Sequence, residues 1–161
     1  MAAGQVTDAD FDRLSWHDNV IHGFRISLPE PELGDWRSDL ILDIDYIVEW
    51  LCGDPQDVRF RVAPADLVFH DVGDLKIGLE YPSGMLSAIS INTIHRMPAE
   101  PAHDRSPPSY DWRIEVHAPP RAALSFRASG FTQTLRGEPL TLPQQSLTRA
   151  QRAQFRNPAA A

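Results

Sequence analysis

The dominant pattern along the chain is an alternation of period two. Between residues 39 and 50, Leu40, Leu42, Ile44, Tyr46, Val48 and Trp50 point one way, and Ile41, Asp43, Asp45, Ile47 and Glu49 point the other. A helix would scatter those acids around its circumference. A strand collects them on one face, because successive Cβ atoms alternate. Residues 58–62 alternate too, with Val58, Phe60 and Val62 opposite Arg59 and Arg61. The intervening Cys52-Gly53-Asp54-Pro55-Gln56-Asp57 is turn-forming, so the two segments read as a hairpin. Setting Trp50 opposite Val58 brings Val48 to Phe60, Glu49 to Arg59 and Ile47 to Arg61. A slip of one residue would bury the charges.

Further strands are read at 20–28, 65–72, 75–81, 86–97 and 110–117. In the first, Val20, Phe24, Ile26 and Leu28 share a face; in the last, Tyr110, Trp112, Ile114 and Val116 do. Residues 123–135 read as two short strands or one strand bent at Gly130. Gly73-Asp74 predicts a two-residue turn joining 65–72 to 75–81, and Pro64 marks a strand start or an edge. Thr7-Asp8-Ala9-Asp10 is patterned like a capping box, with Asp10 where Glu or Gln is usual, and predicts a short helix through Phe11 and Leu14. A second, weak helix is expected over 146–156 with Ser146 or Thr148 as its cap.

The chain therefore reads as mainly β. One antiparallel domain of about eight or nine strands spans 1–157, a sandwich or partly open barrel with a short N-terminal helix and a weak C-terminal helix. Four prolines in 98–109 predict a surface excursion, and 158–161 reads as a disordered tail. The expected core is Leu40, Leu42, Ile44, Tyr46, Val48, Trp50, Phe60, Val62, Leu67, Phe69, Ile77, Ile89, Ile91, Trp112, Ile114 and Phe126.

Composition narrows the class. At 161 residues, 42% hydrophobic and 23% charged, the chain is sized and balanced for one folded domain. No apolar run approaches the roughly 18 residues of a membrane-spanning helix. The N-terminus has neither a basic start nor an apolar stretch, so no secretory signal is expected. Cys52 is the single cysteine, which excludes an intrachain disulfide and fits a reducing, cytoplasmic location. The net charge of −7 is unevenly spread: the first hundred residues carry 18 acidic and 7 basic residues, the remainder 4 and 8. An acidic half repels phosphate backbones, so nucleic acid is not an expected partner. No P-loop, no G-x-G-x-x-G and no G-x-S-x-G elbow occurs, and no cofactor is implied.

The densest polar cluster is Trp16-His17-Asp18-Asn19-Val20-Ile21-His22-Gly23. His17, Asp18 and His22 are metal-ligand types. A strand through both histidines would set them on opposite faces, so they converge only if a turn intervenes. The plainer readings are a core histidine at His22 and a turn at Asp18-Asn19. His70, His95, His103 and His117 are dispersed, so a metal site would have to be assembled from separate strands. Asp43, Asp45 and Glu49 share a strand face, with adjacent same-face positions about 6.5–7 Å apart. Such carboxylates can act as acid and base or hold a hard cation. The plainer reading is a solvated outer face balanced by Arg59 and Arg61, from which removing Asp43 and Asp45 together would leave folding nearly intact. Trp36, in a polar stretch, is an exposed candidate for a partner contact.

Trp16-His17-Asp18-Asn19 with Ile21-His22-Gly23, followed by Leu42-Asp43-Ile44-Asp45-Tyr46, resembles uncharacterised bacterial β-rich domains, some of which stand among the proposed immunity proteins of polymorphic-toxin systems. The likeness covers the first half of the chain and carries no catalytic residue. It implies a small protein that binds a partner.

Three functions follow as expectations. The leading one is a non-enzymatic binding domain with an acidic face turned to a protein, without membrane or nucleic-acid partners. The second is a metal-dependent enzyme built around His17, Asp18 and His22. The third is a small-ligand-binding β-barrel, which needs an interior that the bulky core residues would fill.

Overall fold

The alternation over 39–50 becomes the longest strand of a ten-stranded antiparallel sheet that is not closed. The computed structural model describes residues 5–82, 84–101 and 108–155. Its strands are β1 (Val6–Thr7), β2 (Val20–Ser27), β3 (Asp39–Leu51), β4 (Arg59–His70), β5 (Gly73–Gly78), β6 (Ile89–Pro98), β7 (Tyr110–Ala118), β8 (Ala123–Ala128), β9 (Gly130–Leu135) and β10 (Leu140–Leu142). Their order is β1-β9-β4-β3-β2-β6-β7-β8-β5, with β10 also pairing β4. Two 3₁₀ helices, over Asp8–Arg13 and Pro31–Leu33, and an α-helix, α1 (Arg149–Ala153), accompany the strands. Thr148 caps α1 by accepting from the Gln151 amide at 3.2 Å. No helix among the described residues is long and apolar enough to cross a membrane. The predicted tail 158–161 and the centre of the 98–109 excursion lie outside the described residues.

The sheet folds back on itself. Phe69 of β4 lies 5.1 Å from Trp112 of β7 and 4.7 Å from Phe126 of β8, centroid to centroid, although these strands are far apart in the sheet order. Residues 123–135, expected as two short strands or one bent strand, form two strands, β8 and β9, and make the corner. The chain bends at Ser129, pairing with β7 before the bend and with β4 after it. Gly130 lets the Asp8 side chain approach this corner: an added Cβ would stand 2.8 Å from its carboxylate, which would have to shift. The two halves enclose one aromatic-rich core of Leu40, Leu42, Ile44, Leu67, Phe69, Ile91, Trp112, Ile114, Phe126 and Phe131.

The strand pairing departs from the expected one at several places. Residues 65–72 and 75–81 do not form a hairpin: β4 runs unbroken from Arg59 to His70, and β5 crosses to pair with β8. Pro64 lies inside β4, where the chain passes from β10, paired at residues 60–62, to β9, paired at residues 65–70. Its carbonyl there accepts from the Arg136 amide at 2.8 Å. An amide nitrogen points to the same side as its carbonyl, so the missing proline N–H falls in the gap between two partner strands.

The β3–β4 register also differs from the expected one. Trp50 faces Phe60 and Glu49 faces Arg61, two residues on from the expected pairing, and an extra residue is accommodated between Ile47 and Glu49. That bulge turns Trp50 away from the main core and leaves it 47% exposed, with Val48 exposed as well. Phe60 and Val62 are buried, but in a second cluster on the outer face, with Ile47, Leu142 and Leu147.

Truncation separates the two environments. Phe69→Ala is expected to cost about 3–5 kcal/mol in urea unfolding and Trp50→Ala about 1–2 kcal/mol. Equal losses at both positions would contradict the placement of Trp50.

Candidate functional site

Residues 16–19 form a turn between the first 3₁₀ helix and β2. The Asn19 amide donates to the Trp16 carbonyl at 3.1 Å, and the Asp18 amide to the Ile91 carbonyl at 2.8 Å. Asp18 has φ of 65°, a left-handed conformation that aspartate tolerates better than most side chains. The turn is anchored from below. Trp16 is buried and its indole N–H donates to Gln133 Oε1 at 2.8 Å, while buried Asn19 accepts the Ile47 amide at 3.1 Å. His17 and Asp18 are thereby held outward. His117 reaches them from β7: its Nε2 lies 3.3 Å from Asp18 Oδ1, and His17 Nδ1 lies 3.1 Å from Asp18 Oδ2. The two imidazoles pack edge to face at 5.0 Å. Gln145, on the C-terminal segment, donates to Asp18 Oδ2 at 3.0 Å. A cleft of about 240 Å³ opens beside His17.

His22 does not join this cluster. It is the extra residue of a bulge in β2, between the pairs Ile21↔Ile44 and Gly23↔Asp43. The bulge puts Ile21 into the core and swings His22 to the outer face, so Val20 and Phe24 do not share a face as the alternation predicted. There His22 Nε2 meets Asp45 Oδ2 at 2.8 Å. The expected core histidine is instead a half-buried partner of a buried acid.

Asp43 and Asp45 are not a free acidic face. The C-terminal segment lies across them. Asp45 is fully buried and accepts from His22, from the Leu147 amide at 2.8 Å and from the Arg152 guanidinium. Arg152 also donates to Asp43 at 2.6 Å, and Arg136 joins Asp43 from the other side. Burial alone would raise the Asp45 pKa. The hydrogen bonds from His22 and Leu147, with the charges of His22 and Arg152, outweigh it and hold the carboxyl below its usual range. Glu49 is separate from both, paired with Arg61 at 3.2 Å. The expected balancing by Arg59 and Arg61 thus applies to Glu49 alone; Arg59 pairs with Asp57.

A third feature is the edge of β2. β2 pairs β6 at Val20 and Ile21, and among the described residues no strand continues that pairing along 23–27. Phe24 and Ile26 face Leu42 and Leu40 of β3, so they lie on the core side of the sheet. Among the described residues nothing is laid over them, and they are 42% and 48% exposed, with Leu28 74% exposed. Trp36 is exposed as expected, beyond this edge in sequence and apart from the histidine cluster.

No family model, curated protein or solved structure matches this chain.

The turn expected at Asp18-Asn19 lies within the observed turn over residues 16–19, whereas His117, Gln145, Arg136 and Arg152 were not foreseen as partners. None carries a local signal, because each arrives by tertiary pairing. The basic balance of the C-terminal part was the one available hint of Arg136 and Arg152.

Asp45→Asn is expected to cost about 3 kcal/mol, since it leaves Arg152 and His22 facing a neutral group in a buried site. The depressed folded-state pKa stabilises the protein above the unfolded value of about 3.9 and is lost as pH falls through the lower folded value. Chemical unfolding from pH 6 to pH 2 checks this: wild type is expected to lose its advantage over the variant in that acid window. A constant difference would contradict it.

Proposed function

We propose that this chain is a polypeptide-binding domain that accepts an extended segment of a partner by strand addition along the free edge of β2. The observation that carries the reading is the juxtaposition, among the described residues, of an unpaired edge with the exposed residues Phe24 and Ile26 on β2 and Leu28 just past its end. Unpaired backbone groups on such an edge bind another chain's backbone, and alternate side chains supply selectivity. Long apolar edges are otherwise blunted by charge, proline or a covering loop. Here Arg25 is the one charge within 23–28, and Met85 and Leu86, which precede β6, are themselves exposed.

This reading keeps the binding role expected from the sequence but moves it. An acidic surface for a basic partner loses Asp43 and Asp45 to Arg136 and Arg152. A ligand-holding barrel is disfavoured by the aromatic packing of Phe69, Trp112, Phe126 and Phe131 between the two halves. The resemblance to proposed immunity proteins agrees with a domain whose work is to hold a partner.

Selection of displayed linear peptides against the folded chain tests the proposal. Selected peptides are expected to alternate apolar residues and to shift backbone amide resonances along 22–28. Ile26→Lys, which places a charge on the edge at a position already 48% exposed, should weaken them at least about tenfold while circular dichroism shows the fold retained. Peptides that bind elsewhere, or that bind Ile26→Lys equally well, would overturn it.

A further inference from the structure

We infer that His17, Asp18 and His117 form a binding site for one transition-metal dication, with zinc as the reference ion. The inference is independent of the β2 edge. One ligand atom from each residue can be chosen so that all lie within 4.8 Å of one another. The two contacts through Asp18 are tighter, at 3.1 Å and 3.3 Å. Zinc bonds imidazole nitrogen at about 2.0–2.1 Å and carboxylate oxygen at about 2.0–2.2 Å, which sets neighbouring ligand atoms of a tetrahedron roughly 3.3 Å apart. The two Asp18 contacts run to different oxygens, Oδ2 to His17 and Oδ1 to His117, so a shared ion draws the three side chains together from within 4.8 Å by a small rotation.

The donor set selects the class of ion. Two imidazoles and one carboxylate, without a thiolate, suit zinc, copper, nickel, cobalt and ferrous iron. They do not suit calcium or magnesium, which require oxygen ligands. Three protein ligands leave at least one coordination position open, the arrangement of reactive rather than purely structural sites. That opening is accessible: the His17 and His117 side chains are 51% and 42% exposed, and the cleft lined by Phe11, Leu14, Trp16 and Asn92 adjoins His17.

The site is positioned by the fold rather than by flexible surface chains. Asp18 is fixed by its turn and by the bond of its amide to Ile91. Gln145 holds Asp18 Oδ2 from outside, and the segment carrying Gln145 is itself fastened by the Leu147 amide on Asp45. Gln145 is thus a positioning residue, of the kind that orients a ligating carboxylate.

The test uses untagged chain stripped with a chelator, titrated with zinc by calorimetry and with cobalt by visible absorption. About one equivalent is expected to bind, with cobalt giving the intense visible bands of a low-symmetry, four- or five-coordinate site. His17→Ala and His117→Ala should each weaken binding at least about a hundredfold, and Gln145→Ala about tenfold. Side-chain imidazole resonances of His17 and His117 should shift on zinc addition while those of His70 and His95 stay in place. His95→Ala, which alters an exposed histidine outside the cluster, should leave the affinity unchanged. The His17 and His117 side chains are largely exposed, so both variants are expected to fold, and circular dichroism checks that they do. Absence of zinc binding below millimolar concentration would overturn the inference. So would binding that folded His117→Ala retains in full.

Discussion

A single buried carboxylate ties this fold together. Asp45 sits on the outer face of the central strand β3, where solvent would ordinarily satisfy it, yet it is fully buried. An isolated charge in that position would be strongly disfavoured. It is tolerated because β2 supplies His22 and the C-terminal segment supplies both the Leu147 amide and Arg152. The same carboxylate thus fastens the neighbouring strand and the closing segment onto the sheet. The apolar contacts of Leu142 and Leu147 with Ile47, Phe60 and Val62 seal that outer face, and Gly137 leaves the space that the Phe155 ring occupies. Gln145 lies on this fastened segment, so the geometry at Asp18 also depends on it.

Bulges explain much of what the alternation left hidden. The strands over 39–51, 110–118 and 123–135 were legible because one apolar and one polar face repeat along them, and the inward positions of Leu40, Leu42, Ile44, Trp112 and Ile114 followed directly. An added residue is invisible to such a pattern. It reverses every side chain beyond it. At His22 this exchanged the expected face of Val20 for Ile21 and delivered the imidazole to Asp45. Past Ile47 it moved Trp50 from the core to a half-exposed place over Phe60.

The candidate sites divide along similar lines. The turn at Asp18-Asn19 could be read locally, since aspartate and asparagine favour it. The ligand partner His117 comes from the other half of the sheet, brought near by the pairing of β2 with β6 and β6 with β7. The acids of β3 read as solvated because their cations lie far along the chain. The open edge is a property of the sheet as a whole: Phe24 and Ile26 look like core residues in sequence and are exposed because β6 parts from β2 after Ile21. The fold thus has a closed side, where charges are neutralised beneath the C-terminal segment, and an open one, where backbone and apolar side chains remain available.

The openness of that edge is the central claim, and amide hydrogen exchange resolved by residue tests it most directly. Amides of 23–27 that point away from β3 are expected to exchange orders of magnitude faster than those of the central β3 and β4, whose opening requires global unfolding. Uniform protection along 23–27, equal to that of β3, would mean that the edge is already covered and would contradict the account.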